Sequence, residues 1–185
     1  MPLLSRKRVI LAKTESTYGT DSTPTGAANA ILVRNLSITP QNSEIVGRDL
    51  VRPYLGASEQ IEAGVHVTCE FEVEVAGSGT AGTAPAYGPL LLACGMAATT
   101  SAGVSVTYAP VSASFGSVTI YYNVDGVLHK VTGARGNVQI SLQVGQIPVY
   151  RFSFTQDIAP QCFLDIPVRI LILELRIADT WPAHR

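Results

Sequence analysis

The feature that most constrains the fold of this chain is the strict alternation of residue types along residues 65–75. Apolar Val, Cys and Phe occupy the odd positions, whereas polar His, Thr and Glu occupy the even ones. Successive side chains of a β-strand point to opposite faces of a sheet, so this period of two predicts a strand with one buried and one hydrated face. We therefore expect Glu70, Glu72 and Glu74 to project together from a polar sheet face.

A β-hairpin is predicted around Asp125 and Gly126, which separate the strand-like runs 118–124 and 127–132. Both turn residues tolerate positive φ, and Asp-Gly between two such runs is the strongest short-range hairpin signal. The glycines within residues 133–136 predict a second tight turn. Three further runs predict additional strands, namely residues 104–109, 138–144 and 149–155.

The N-terminal third of the sequence predicts one long strand followed by a long connection. Residues 1–28 predict a short strand and then a polar loop or N-terminal arm. Residues 29–39 alternate, and Pro40 is expected to end that strand. Residues 41–60 then carry scattered charges together with proline and glycine. A connection of this length in a compact domain is usually functional or flexible.

One short helix completes the expected architecture, which is mainly β. Residues 87–96 predict the helix, with a proline in its first turn and a sheet-facing side formed by Leu90, Leu91 and Cys94. The antiparallel meander predicts a β-sandwich or a partly open barrel over residues 1–155. Residues 156–185 form a C-terminal segment whose packing the pattern leaves open, since its apolar run 166–177 suits a strand or a short helix.

Composition and charge narrow the classes of function. Charged residues are 15% of the chain, below the usual quarter or so, which favours a surface partly covered by partners. The net charge of −1 predicts no broad electrostatic attraction to nucleic acid. No apolar run approaches the roughly 20 residues that span a bilayer, so we expect no membrane partner.

No motif in the sequence points to catalysis, a cofactor or a metal. Cys69, Cys94 and Cys162 are too widely spaced for a zinc site, and three free thiols suit a reducing cytoplasm. The glycine-rich residues 77–82 echo a dinucleotide fingerprint but lack its βαβ context. The sequence contains no nucleophile elbow and no phosphate loop, so we expect no enzymatic activity and no cofactor.

Two regions of the chain resemble the tail tube proteins of siphophages, which are long-tailed bacteriophages. One is the predicted hairpin with its flanks, residues 118–138. The other is residues 12–40, followed by residues 48–56 and the long alternating strand. The likeness covers about residues 9–155 and rests on the order of these segments, not on one chemically diagnostic motif.

This resemblance implies a β-sandwich flanked by a helix, in six-fold rings that stack into a tube. Strands of neighbouring copies would join edge to edge into one continuous barrel, and DNA would pass through its lumen without specific binding. The long connection near residues 41–60 would contact the adjacent ring. The implied partners are other copies of the chain and the tape measure, terminator and baseplate proteins of the same virion tail, which assembles in the host bacterial cytoplasm.

Polar residues of the predicted strands are the candidates for the wall of that channel. Glu70, Glu72 and Glu74 would repel DNA phosphates. Uncharged polar side chains on a neighbouring strand would give DNA few strong contacts, namely those of Gln139, Ser141 and Gln143. The alternative interpretation is a solvated sheet face, on which adjacent like charges are only mildly destabilising when hydrated.

In the long connection, Arg48, Arg52 and Tyr54 are the candidates for contacts between rings. Arg and Tyr are favoured at the centres of protein interfaces. The alternative interpretation of these three residues is an ordinary exposed loop.

Two other functions remain open for the chain as a whole. One is a monomeric β-sandwich adhesin or carbohydrate-binding module. The other is a different tail component of related fold, such as a terminator or baseplate protein. Aromatic residues alternate into the predicted strands instead of clustering on loops, which disfavours a sugar-binding face.

Overall fold

A computed structural model describes residues 7–53 and 55–157 of the chain. These residues form nine β-strands and two short helices, in the order β1 (Arg8–Thr14), α1 (Gly26–Asn29), β2 (Ala30–Ile31), β3 (Arg34–Gly47), β4 (Gln60–Glu74), α2 (Gly88–Ala93), β5 (Met96–Ser101), β6 (Ser105–Pro110), β7 (Val118–Val124), β8 (Val127–Ser141) and β9 (Val149–Asp157).

Seven strands form one antiparallel sheet in the order β2-β1-β7-β8-β9-β4-β3, while β5 and β6 pair as a separate hairpin. β8 belongs to both halves of the sheet, because residues 127–134 pair with β7 and residues 135–141 pair with β9. The first half contains β2, β1 and β7, and the second half contains β9, β4 and β3. The expected mainly β sandwich is confirmed, and no barrel closes within the described residues.

Aromatic side chains of the second half form the centre of the core. The ring centroid of Phe71 on β4 lies 5.7 Å from that of Phe152 and 5.8 Å from that of Phe154, both on β9. The three side chains cluster with Ile10 and Ile120 of the first half. Full burial of such a side chain contributes roughly 1.5–3 kcal/mol, so the apolar positions of the alternating strands hold the two halves together.

The predicted hairpin at Asp125 and Gly126 is confirmed. These residues have φ values of 45° and 90° and join β7 directly to β8. The runs 104–109 and 149–155 correspond to β6 and β9. Of the predicted strand 138–144, residues 138–141 form the end of the long strand β8, and residues 142–144 follow it outside any strand. The sequence did not predict β5, which pairs with β6.

The predicted tight turn at residues 133–136 is wrong, because these residues lie inside β8. Gly133 has a φ of 69°, and the register with β7 shifts between Val118 and Ile120. A bulge bends a strand and increases its twist. The glycines therefore mark the place where β8 leaves β7 and joins β9.

The predicted end of the first long strand at Pro40 is also wrong, because β3 continues through Pro40 to Gly47. A proline is tolerated there because β3 pairs only with β4 among the described strands, and a register shift lies between Thr39 and Asn42. Residues 30–31 form the separate short strand β2, and the connection after β3 shrinks to residues 48–59.

The predicted helix is confirmed with shorter bounds, since α2 covers Gly88–Ala93. Leu90 and Leu91 are buried in the core, and Cys94 packs against it while partly exposed. Gly95, with a φ of 79°, ends the helical segment and leads into β5. The sequence did not predict α1, a single turn before β2.

Tyr54 and residues 158–185 lie outside the described residues. The expected boundary near residue 155 falls within β9, which extends to Asp157. The apolar run 166–177 lies beyond that strand and outside the described part of the chain.

Candidate assembly surfaces

The second half of the sheet presents a polar face that contains the acidic residues of β4. Its antiparallel register places Glu70 opposite Ser153 and Glu72 opposite Arg151 of β9, and Arg151 in turn opposite Gln139 of β8. The alternation of each strand turns these side chains away from the buried phenylalanines. The predicted acidic and uncharged residues therefore share one face.

The remaining members of the predicted set border the same surface. Ser141 follows Gln139 by two positions on β8, so it shares the same face. Gln143 lies in the turn after β8, yet together with Ser141 it lines a groove that Glu72 and Arg151 also line. Glu74 is exposed at the end of β4.

Two arginines that the sequence analysis did not single out neutralise part of this polar face. Arg151 Nε lies 2.9 Å from Glu72 Oε1, and Arg34 Nη1 lies 3.4 Å from Glu74 Oε1. Asn35 Nδ2 donates a hydrogen bond of 2.9 Å to Glu72 Oε2. The alternation within residues 149–155 predicts that Arg151 faces outward. Only the register between β4 and β9 shows that it meets the carboxylate of Glu72.

A two-stranded arm extends beyond this face, where residues 44–47 of β3 pair with residues 60–63 of β4. We refer to residues 44–63 as the arm. Near its tip, Arg48 Nη1 lies 3.7 Å from Glu59 Oε2 and Arg52 Nη2 lies 3.4 Å from Glu59 Oε1. The two predicted contact arginines thus share one carboxylate across the 48–59 connection.

The arm also carries an exposed apolar patch that the sequence analysis missed. Its members are aliphatic side chains at least 45% exposed, namely Ile45, Val46, Leu50, Val51, Leu55 and Ile61. Val51 and Leu55 are fully exposed. Exposed apolar side chains concentrated in one segment are typical of interaction sites in soluble proteins. The available signal was the recurrence of aliphatic residues within a connection otherwise rich in charge.

The second half of the sheet has an unpaired backbone edge on each side within the described residues. On one side β3 pairs only with β4, and on the other side residues 135–141 of β8 pair only with β9. Such an edge exposes a row of N–H and C=O groups that can pair with another strand.

A partly buried carboxylate, that of Glu15, ties the N-terminal segment to the bend of β8. Glu15 accepts hydrogen bonds of 2.7 Å from the hydroxyls of Ser117 and Thr119 and from the N–H of Gly133, and one of 2.9 Å from the N–H of Gly19. Burial raises the pKa of Glu15, but these hydrogen bonds outweigh it, so the pKa lies below its usual 4.5.

Asp21 makes a second anchor on the same side of the molecule. Its carboxylate accepts a 2.6 Å hydrogen bond from the Tyr121 hydroxyl, one of 2.8 Å from the N–H of Thr23, and one of 3.0 Å from Lys130 Nζ. These contacts, with the Tyr121 bond first, lower the pKa of Asp21 to about 2. No periodicity in the polar N-terminal segment marked either carboxylate as an anchor.

The described thiols and acidic groups show no arrangement for metal chemistry. Burial raises the pKa values of Cys69 and Cys94 to about 12. No group of three or more His, Cys, Asp or Glu side chains in residues 7–53 and 55–157 is placed to hold a metal ion. In the same residues, no helix has the length and apolar character needed to cross a membrane. Cys162 lies outside the described part of the chain.

A family model described as phage tail tube protein matches residues 5–160, which is most of the chain and includes every described strand and helix. No curated protein shows significant similarity to the sequence.

Proposed function

The chain belongs to the phage tail tube protein family, and from this premise we propose that it is the subunit of a tube of stacked hexameric rings. The family places the protein in the virion tail as a structural component. The proposed tube is the channel through which the genome is ejected, and its subunit needs no catalytic step or cofactor. The observation that carries the proposal is the pair of unpaired edges on the second half of the sheet.

Lateral contact would join the outer edge of β3 in one copy to residues 135–141 of β8 in the next. The four strands β8, β9, β4 and β3 alternate in direction, so rotation about a ring axis brings β3 and the neighbouring β8 together antiparallel. Four strands from each of six copies exceed the roughly 16–18 strands at which porin barrels enclose an aqueous channel. Ring closure would pair both exposed edges.

The polar face of β4, β9 and β8 would then line the bore, because the opposite face of these strands packs on the subunit's own core. Glu70, Glu72 and Glu74 would repel DNA phosphates. Arg151 and Arg34, which would otherwise attract phosphates, are held by Glu72 and Glu74. DNA would therefore slide past this wall without specific binding.

Axial contact would be made by the arm, through its apolar patch and through Arg48, Arg52 and Tyr54. The exposure of six aliphatic side chains in one short segment supports this assignment. The ends of the tube would contact other tail proteins, namely the terminator and the baseplate, and the bore would hold the tape measure protein before ejection. Assembly would take place in the host bacterial cytoplasm.

Electron cryo-microscopy of the purified protein tests the lateral contact. We expect rings in which β3 of one copy pairs with β8 of the next. A particle that sediments as a monomer would instead favour a β-sandwich adhesin or carbohydrate-binding module. Rings that never stack under any condition would favour a terminator or baseplate component of related fold.

A shortened arm tests the axial contact. The N–H of Arg48 donates a 2.9 Å hydrogen bond to the carbonyl oxygen of Glu59, one position beyond the Gly47–Gln60 pair of the β3–β4 ladder, so a two-residue Asn-Gly turn can replace residues 49–58 without changing the register. We expect this variant to fold and form rings but not tubes. Tubes of ordinary length from the shortened chain would contradict the assignment of the arm.

A further inference from the structure

A second exposed apolar surface lies in the turn that connects β8 to β9. We call residues 142–148 the distal turn. Leu142 is 72% exposed, Val144 is fully exposed and Ile147 is 57% exposed. The seven residues contain no charged side chain. Turns are usually polar, and exposed aliphatic side chains concentrated in one turn are typical of an interaction site.

The distal turn and the arm lie at opposite ends of the second half of the sheet. Ser141 faces Val149, and Val149 faces Glu74 at the C-terminal end of β4. The arm is attached at the other end, where Gln60 begins β4 and faces Gly47. β4 has 15 residues, which at about 3.3 Å per residue separates the two apolar surfaces by roughly 50 Å.

We infer that the distal turn is the docking site for the arm of a second copy of this chain. The axial contact of the tube is then the arm of one ring against the distal turns of the next ring. This inference rests on the proposed function and names the receiving surface, which that function leaves open.

The partner is a second copy because the two surfaces have the same chemistry and lie at opposite poles. A contact between two different surfaces of identical subunits propagates head to tail, and repeats without limit when the surfaces lie at opposite ends. A partner of another kind would need only one of the two surfaces. The self-assembly that the family implies agrees with contact between the arm of one copy and the distal turn of another.

The docking contact can be tested with a charge placed on the distal turn. We expect Val144→Asp, and separately Leu142→Asp, to fold and form rings but to reduce the mean number of stacked rings at least about tenfold, because a carboxylate opposes burial in an apolar contact. The matched control is Val104→Asp on the separate β5–β6 hairpin, where the side chain is 73% exposed. This control should form tubes of ordinary length in negative-stain micrographs.

A compensating charge on the arm tests direct contact. Val51→Lys or Leu55→Lys, combined with Val144→Asp in one chain, should restore stacking because the opposite charges meet between copies. Failure of both combinations to restore it would overturn the inference, as would normal stacking of Val144→Asp and Leu142→Asp. If Val144→Asp and Leu142→Asp stack normally but the variant with the shortened arm does not, the distal turn is the wrong surface and the proposed function stands. If the unaltered protein forms neither rings nor tubes, the proposed function itself fails.

Discussion

Arg151 Nε lies 2.9 Å from Glu72 Oε1, where β9 and β4 bring the two residues to the same register position. The Glu72 side chain is only 17% exposed, whereas that of Arg151 is 55% exposed. With Arg34 on Glu74, two guanidinium groups are set against the three carboxylates of this polar face. The face is therefore a nearly balanced polar surface that keeps one excess negative charge from this set.

Charge reversal on the polar face is expected to hinder DNA passage without preventing ring formation. Replacing Glu70, Glu72 and Glu74 by Lys leaves Arg34 and Arg151 without their carboxylates and creates a cationic surface that binds phosphates. Genome ejection from virions that carry the triple variant should be slowed, and it should recover partly at high salt because phosphate contacts are screened.

The control for charge reversal places three lysines elsewhere. Thr99→Lys, Ser101→Lys and Thr107→Lys lie on the exposed β5–β6 hairpin, away from the polar face. This control should eject its genome normally. Equal ejection rates from the control and from the Glu→Lys variant would contradict the assignment of the polar face to the wall of the bore.

Replacing Glu15 by Gln should reduce the free energy of unfolding by about 1–3 kcal/mol, the usual cost of leaving a buried donor without its acceptor. The carboxylate accepts from two hydroxyls and two backbone N–H groups, and an amide cannot satisfy the same four donors. Urea unfolding followed by circular dichroism measures the change. Glu62→Gln is the control, since among the described residues this exposed arm carboxylate accepts only a long 3.4 Å contact from Gln41, and its replacement should cost little.

Acid should destabilise the fold at the pH where Glu15 and Asp21 become protonated. Both carboxyl groups have lowered pKa values in the folded state, from 4.5 downward for Glu15 and from 3.8 to about 2 for Asp21. The stabilisation is thus fully present above pH about 4.5 and is lost as the pH falls toward 2. Urea midpoints measured between pH 7 and pH 2 should fall in this window, and Asp21→Asn should flatten the part between about 4 and 2. A midpoint independent of pH would show that these anchors do not stabilise the fold.

Gly136→Ala should destabilise the protein because β8 and β9 approach closely at this position. A Cβ on Gly136 would collide with the carbonyl oxygen of Ser153 and would lie 2.9 Å from Phe154 Cα, both of which are backbone atoms. Overpacking of this kind typically costs about 1–3 kcal/mol. Gly47→Ala is the matched control, since Gly47 also lies in a strand and a Cβ there meets no atom within 4 Å. Thermal unfolding of the two variants should therefore differ, and equal midpoints would contradict the clash.

Local patterns predicted the parts of the fold that depend on neighbouring residues. The alternation of residues 65–75 predicted β4 and its buried side, and Asp125-Gly126 predicted the hairpin because both residues adopt positive φ. The predictions at Pro40 and at residues 133–136 were wrong. A proline ends a central strand but is tolerated in an edge strand. Glycines occur at a bend within a continuous strand as well as in a turn between two strands. Whether a strand lies at an edge, or pairs with two different neighbours, depends on distant segments.

The sequence by itself determined which side chains of β4 face the core and which face outward, because alternation is a property of one strand. Only the tertiary structure decided that Arg151 meets Glu72, that the edges of β3 and β8 bound the same half of the sheet, and that the arm and the distal turn lie at opposite ends of it. The physical reason is that strand order and register arise from long-range pairing between segments more than a hundred residues apart, as between Arg8 and Val124. The residue types within a strand specify its two faces, but they do not specify its neighbour.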